Sequence, residues 1–153
     1  MPSKLDCIRE LLGSCSTLAL ATAERDGGPH STPLFFVMDD AMRLYWFSSR
    51  RSLHSRNLAA HPEAAVAVFH ETERWQQIRG VQMRGTAAVV EDRERRRDMV
   101  RTYCERFALG DFFGAAIRRS ALYCFTPRWA RYIDNTVRFG YKFELDLPAQ
   151  GEN

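Results

Sequence analysis

"FSSRRSLHSRNLAAHP", Phe47 to Pro62, is the stretch on which the reading of this 153-residue chain turns. It sets four serines, three arginines and His54 between an aromatic strand and a short helix stopped by a proline. Ser48 and Ser49 stand where the strand ends. Ser52 takes the N-cap position of a helical interval from Ser52 to Ala60, which Pro62 closes. An N-cap serine satisfies orphan backbone donors, and the free amides of a first helical turn attract anions. Hydroxyls from Ser48, Ser49 and Ser52, those amides, and a cationic His54 or arginine would together hold a phosphate dianion. A plain capped helix with solvated arginines would use the same residues, and spacing alone leaves both readings open.

The flanks of this stretch read mostly as strands. "STLALATAE" alternates, with Leu18 and Leu20 on one face and Ala19 and Ala21 on the other; "RDGG" is a hairpin turn signal. "HSTPLFFVM" and "MRLYWFSS" follow as two further strands across the short turn "DDA", which predicts a three-stranded meander. After the helix, "EAAVAVFH" and "IRGVQMRGTAAVVE" are the fourth and fifth strands. Residues 92–107 change to a helical period, with Met99, Tyr103 and Phe107 four apart, and "DFFGAAIRRS" reads as another helix. "ALYCFTPRWARYI" and "TVRFGYKFELDL" close the chain as strands, the latter alternating strictly from Val137 to Leu147. At the front, Leu5, Ile8, Leu11 and Leu12 mark a helix over residues 3–13. About seven strands, three or four helices and hairpins in place of crossovers imply a mainly β, α+β fold: an antiparallel barrel with peripheral helices. The small residues Ala19, Ala21 and Ala23 suit a wall pressed closely by another element. The partly apolar double faces of the last two strands predict a dimer interface.

Composition narrows the class. The chain is 45% hydrophobic and 12% aromatic, which excludes disorder and fits one domain over residues 1–153. No apolar run approaches the roughly 20 residues that span a bilayer. The opening "MPSKLDCIRELLGSC" carries charges inside its apolar pattern, so it reads as an amphipathic helix and not a signal peptide; the expectation is a cytoplasmic protein with no membrane partner. Cys7, Cys15, Cys104 and Cys124 form no CxxC pair and no metal-ligand spacing, so they read as reduced thiols. His30, His61 and His70 are scattered, and no metal site is assigned. Net charge is +3, almost all the positive charge being arginine. In "EDRERRRDMVRTYCERF" acidic residues interrupt the arginines, the pattern of an ion-paired, solvated helix and not of a nucleic-acid site.

The aromatic-hydroxyl pair Phe47-Ser48, loop serine Ser52, helix leucine Leu58 and closing His61-Pro62 resemble the flavin-phosphate motif of the pyridoxamine 5′-phosphate oxidase-like split barrels. "RGVQMRG", Arg79 to Gly85, and "PHSTPLFFVMDD", Pro29 to Asp40, resemble two further segments of those oxidases. The likeness covers about residues 15–147 and is nearest to a branch of small bacterial proteins that share a "GVQ" strand and an ending like "WARYIDNTVRFGYK". It implies a six- to seven-stranded Greek-key split β-barrel that binds flavin mononucleotide (FMN). Phe47, Ser48, Ser49, Ser52, Leu53 and His54 would line the phosphate, and Thr32, Pro33 and Leu34 would offer backbone groups to the ring. The family also implies a homodimer with the flavin at the subunit interface, where Gln82, Trp129 and Asn135 would form the second wall. His54 stands where the oxidases carry lysine, and Leu53 and Thr32 where they carry arginine, which argues against pyridoxamine 5′-phosphate as substrate.

The implied function is an FMN-dependent oxidoreductase passing hydride between a nicotinamide and a small-molecule substrate. No catalytic acid or base is assigned, because the flavin supplies the hydride chemistry and the protein supplies orientation and exclusion of water. The alternatives are a non-catalytic flavin-binding module, a haem-binding or haem-handling protein, and a user of deazaflavin in place of FMN.

Overall fold

Two hairpins that share one uninterrupted piece of chain shape the molecule in this computed structural model, which describes residues 1–149. The first joins β1 (Thr17–Ala23) to β2 (Pro29–Phe35) in antiparallel register, Leu20 opposite Thr32. Its turn closes with Gly27 at φ +85°, a conformation that glycine adopts without a side-chain clash. The second joins β3 (Val37–Met38) to β4 (Leu44–Ser48). Here Asp39 organises the turn: its carboxylate accepts from the amides of Ala41 (3.0 Å) and Arg43 (2.9 Å), from the Arg43 guanidinium (2.7 Å) and from the Tyr45 hydroxyl (2.9 Å).

The expected strand "HSTPLFFVM" is therefore two strands, broken at buried Phe36, whose amide donates to the carbonyl of Ser16 at 3.1 Å. That break replaces the expected meander. The sheet runs β2-β1-β5-β6-β7-β4-β3, with β8 (Lys142–Asp146) also on β7; β5 is Glu63–Phe69, β6 Arg79–Val89 and β7 Ala121–Asp134. The strands at the two ends of this order, β2 and β3, are consecutive in the chain, so the sheet must curl round to bring them together. The result is an antiparallel, eight-stranded α+β split barrel, one strand more than the pattern predicts. Pro29 and Pro33 have no amide hydrogen to donate, which suits β2 to an end of the order.

The long strand β7 shows where the barrel splits. One edge pairs with β6 along its length. The other is divided: β4 takes Ala121–Phe125, β8 takes Trp129–Ile133, and Pro127 stands between them. Opposite that division β6 slips register at Arg84/Gly85. A Cβ on Gly85 would collide with the carbonyl oxygen of Thr126 and reach within 2.9 Å of the Pro127 Cα, so only glycine lets the two backbones approach. The final strand is shorter than its alternation predicts. Val137 and Phe139 belong to a turn, exposed at 60% and 76%, and pairing begins at Lys142.

Inside the barrel, Leu18, Leu20, Leu44, Trp46, Val68 and Phe125 form the core. It is closed by α1 (Lys4–Ser14) through Ile8, Leu11 and Leu12. Each such side chain, fully buried, contributes about 1.5–3 kcal/mol. A second cluster lies where α3 (Arg93–Phe107) packs Tyr103 edge-on against Phe47 at 5.1 Å. The remaining helices are α2 (Leu53–Ala60) and α4 (Asp111–Arg119). No described helix is long and apolar enough to cross a membrane, and the four cysteines are free.

Candidate functional site

At the start of α2 the sequence dictates a knot of small polar groups. Ser52 caps the helix, its hydroxyl accepting from the Ser55 amide at 3.4 Å. The same hydroxyl has one hydrogen and three possible recipients: the Ser49 carbonyl (2.9 Å), Ser55 Oγ (2.7 Å) and His54 Nε2 (3.1 Å). Ser48, the last residue of β4, places its Oγ 2.6 Å from the same His54 nitrogen. Three serine hydroxyls and an imidazole thus converge over the first turn of the helix.

His54 is a buried member of this cluster. It is only 8% exposed, because the first turn of α2 carries its ring inward. Burial pushes its pKa below the ordinary imidazole value, and the nearby His30 on β2 adds to the effect. The ring is therefore held neutral in the free protein, so the cation expected from the sequence is not prepared in advance. A bound phosphate dianion would supply the missing negative charge and raise that pKa again. Leu53, between Ser52 and His54, adds no charge to the cluster. α2 is tied to the sheet by Asn57, whose side-chain amide donates to buried Thr22 Oγ1 at 3.0 Å.

The other candidates lie in three places. Thr32 and Leu34 share the face of β2 that carries His30, and Pro33 points the opposite way. Gln82 and Trp129 are on the outer face of the sheet. There the rows Ala19-Ala67-Gln82-Arg131 and Ala21-Ala65-Arg84-Trp129 run in register across β1, β5, β6 and β7. Arg84 lays its guanidinium 4.0 Å from the centre of the Trp129 ring, and a shallow depression of about 460 Å³ lies over this face. Asn135 is part of a separate corner. Its side-chain nitrogen donates to the Trp75 carbonyl (2.8 Å) and its oxygen accepts from the Gly140 amide (2.9 Å), as the "DNT" turn favours.

Sequence reasoning missed Ser55, whose hydroxyl joins the cluster, and a buried network beside Asn135. Asp134, 5% exposed, accepts from Arg79 Nε (3.1 Å), the Tyr132 hydroxyl (2.9 Å), and the Thr136 amide (2.9 Å) and hydroxyl (2.6 Å). Burial raises the pKa of this carboxyl, but the hydrogen bonds from Thr136 and Tyr132 and the Arg79 charge outweigh it and hold the group below its ordinary value. The network fastens β6 to the end of β7. No group of three or more histidine, cysteine or acidic side chains among the described residues is arranged to hold a metal.

Comparison with known proteins gives one family and many related structures. The family model described as pyridoxamine 5′-phosphate oxidase matches residues 5–134. No curated protein matches the chain. Among solved structures, a conserved hypothetical protein of Mycobacterium tuberculosis is 22% identical, with a TM-score of 0.77, over 89% of this chain and 87% of its own. HutZ of Vibrio cholerae, described as a haem storage protein, is 20% identical with a TM-score of 0.69, over 83% of this chain and 91% of its own. A haem-binding protein of Mycobacterium smegmatis is 18% identical with a TM-score of 0.73, over 95% of this chain and 59% of its own, longer chain. At these identities the structural likeness is one of fold.

Proposed function

Because the chain belongs to the pyridoxamine 5′-phosphate oxidase family, we propose that it is an FMN-binding flavoprotein, an FMN-dependent oxidoreductase that passes hydride between a nicotinamide and a small substrate. The observation that carries this reading is the cluster at the head of α2, where the Ser48 and Ser52 hydroxyls meet His54 Nε2 and the Ser55 hydroxyl joins through Ser52. In the proposal these groups and the first-turn amides hold the cofactor phosphate, and His54 takes a proton as the dianion arrives. Bound flavin supplies the hydride acceptor; the chain supplies position and shelter from water. Thr32 to Leu34, on the end strand β2, offer backbone groups to the ring.

The protein acts in this reading as a homodimer. The small-residue rows of β1 and β5 give the flat surface on which a second copy can sit, bringing Gln82 and Trp129 from the facing subunit to the ring as a second wall. Asn135 supports that wall by holding the corner beside it.

A second reading, a haem-handling protein, draws support from the two haem proteins that share the fold. The deciding measurement is the visible spectrum of purified protein before and after addition of FMN and desalting. Retained flavin that is bleached by a reduced nicotinamide and restored by an acceptor is the expected outcome. Retained flavin without turnover would favour a binding module. Failure to retain FMN would sink the proposal and move titrations with haem, read by a Soret band, and with deazaflavin to the front.

A further inference from the structure

A second cavity, of about 790 Å³, opens between the end of β4, the start of β7, and helices α3 and α4. Ser49 borders it, next in the chain to Ser48 of the polar cluster. Its floor is apolar, formed by residues such as Val89 and Leu122. Its rim carries six arginines from three separate segments: Arg50 and Arg51 after β4, Arg93 and Arg96 in the first turn of α3, and Arg118 and Arg119 in the last turn of α4. Glu91 is the one acidic residue of the lining. Six arginines against one glutamate leave five net positive charges at this mouth, more than the +3 of the whole chain.

These charges are poorly matched within the protein. Arg50 meets Glu91 at 3.4 Å, a largely exposed pair that contributes little. Arg96 donates to the Arg118 carbonyl at 2.8 Å and lies 5.5 Å from the Phe47 ring centre. Arg51, Arg93, Arg118 and Arg119 have no ion-pair partner among the described residues. Arg118 and Arg119 complement the carboxyl end of the α4 dipole, but that does not account for Arg50 and Arg51 facing them. Like charges gathered round a concavity repel one another, and a polyanion seated among them removes that repulsion while accepting paired guanidinium hydrogen bonds.

We propose that this cavity is a binding site for an organic anion carrying at least two phosphoryl groups, of the nucleoside diphosphate class. Its volume lies within the range that holds small organic ligands, roughly 300–1,000 Å³. The apolar floor suits a ring, and five net charges call for more than the single phosphate of FMN. The six arginines line one cavity, and Glu94 and Asp98 interrupt the basic run of α3, which disfavours a nucleic acid. The site borders the flavin reading at Ser49, but none of its six arginines belongs to that reading, and it stands whether or not that reading holds.

The test is calorimetric titration of the full chain with ADP, AMP and adenosine, without flavin and again with FMN present. One ADP per chain is expected, with AMP at least about tenfold weaker, adenosine silent and FMN without effect. Arg51→Ala with Arg119→Ala removes two exposed guanidiniums and should weaken ADP at least about tenfold. Arg25→Ala with Arg74→Ala removes the same charge outside the cavity and should leave affinity unchanged. Thermal melts of both pairs establish that the fold persists. The proposal is overturned by absence of ADP binding, by ADP binding no tighter than AMP, by equal losses in the two double variants, or by one-for-one displacement of ADP by FMN.

Discussion

At the scale of single residues, the decisive fact is that His54 is buried while its partners are hydroxyls. A histidine with a depressed folded-state pKa is held neutral, so its contribution to stability is complete above the unfolded value of about 6.5 and is lost as pH falls below it. In the proposed complex a phosphate beside His54 would reverse the shift, so FMN uptake near pH 6.5 should draw protons into the complex. Calorimetry in two buffers of different ionisation enthalpy should show net proton uptake in the wild type and less in His54→Asn. Equal uptake in both would place the titrating group elsewhere. Losing two charge-assisted partners at once, in Ser52→Ala with His54→Ala, should weaken FMN at least about tenfold. The same pair also removes the α2 cap, worth about 0.5–2 kcal/mol, so the melting temperature should fall as well. Unchanged FMN affinity in a folded double variant would show that the phosphate sits elsewhere.

At the scale of elements, the junction of β6 and β7 governs the shape of the barrel. Pro127 stands where the edge of β7 passes from β4 to β8, and the register slip at Arg84/Gly85 faces it. Gly85→Ala must push back the Thr126–Pro127 backbone, which should cost about 1–3 kcal/mol and lower the melting temperature by several degrees. An unchanged melt would mean that the junction relaxes freely. Farther along the same strand pair, the Arg79–Asp134 network binds β6 to the end of β7, so Gly85 is not the sole tie between them.

For the whole molecule, the outer rows through Ala21-Ala65 and Ala19-Ala67 are the surface on which a second copy is proposed to sit. If it does, the wild type should sediment at twice the 17.7 kDa chain mass, and Ala65→Arg, which raises a long cation from that flat surface, should yield a folded monomer that retains FMN poorly. A wild-type monomer that holds FMN tightly would remove the shared-site part of the proposal.

Much of this was legible in local pattern. Alternation in "STLALATAE" and "EAAVAVFH", the four-residue spacing of Met99, Tyr103 and Phe107, and Ser52 ahead of α2 depend on neighbours within a few residues, and such signals survive in any fold that keeps those elements. The likeness of "FSSRRSLHSRNLAAHP" and "RGVQMRG" to the oxidases then points to the barrel. The sequence by itself thus determined most of the elements, the family, and the cluster of hydroxyls and basic residues on which the phosphate reading rests. Only the tertiary structure decided the break at Phe36, the pairing of β4 with β7, the burial of His54, and the meeting of six arginines from three segments. Those outcomes follow from closing the sheet and burying its faces, which brings together residues far apart in the chain and leaves no local trace in their spacing.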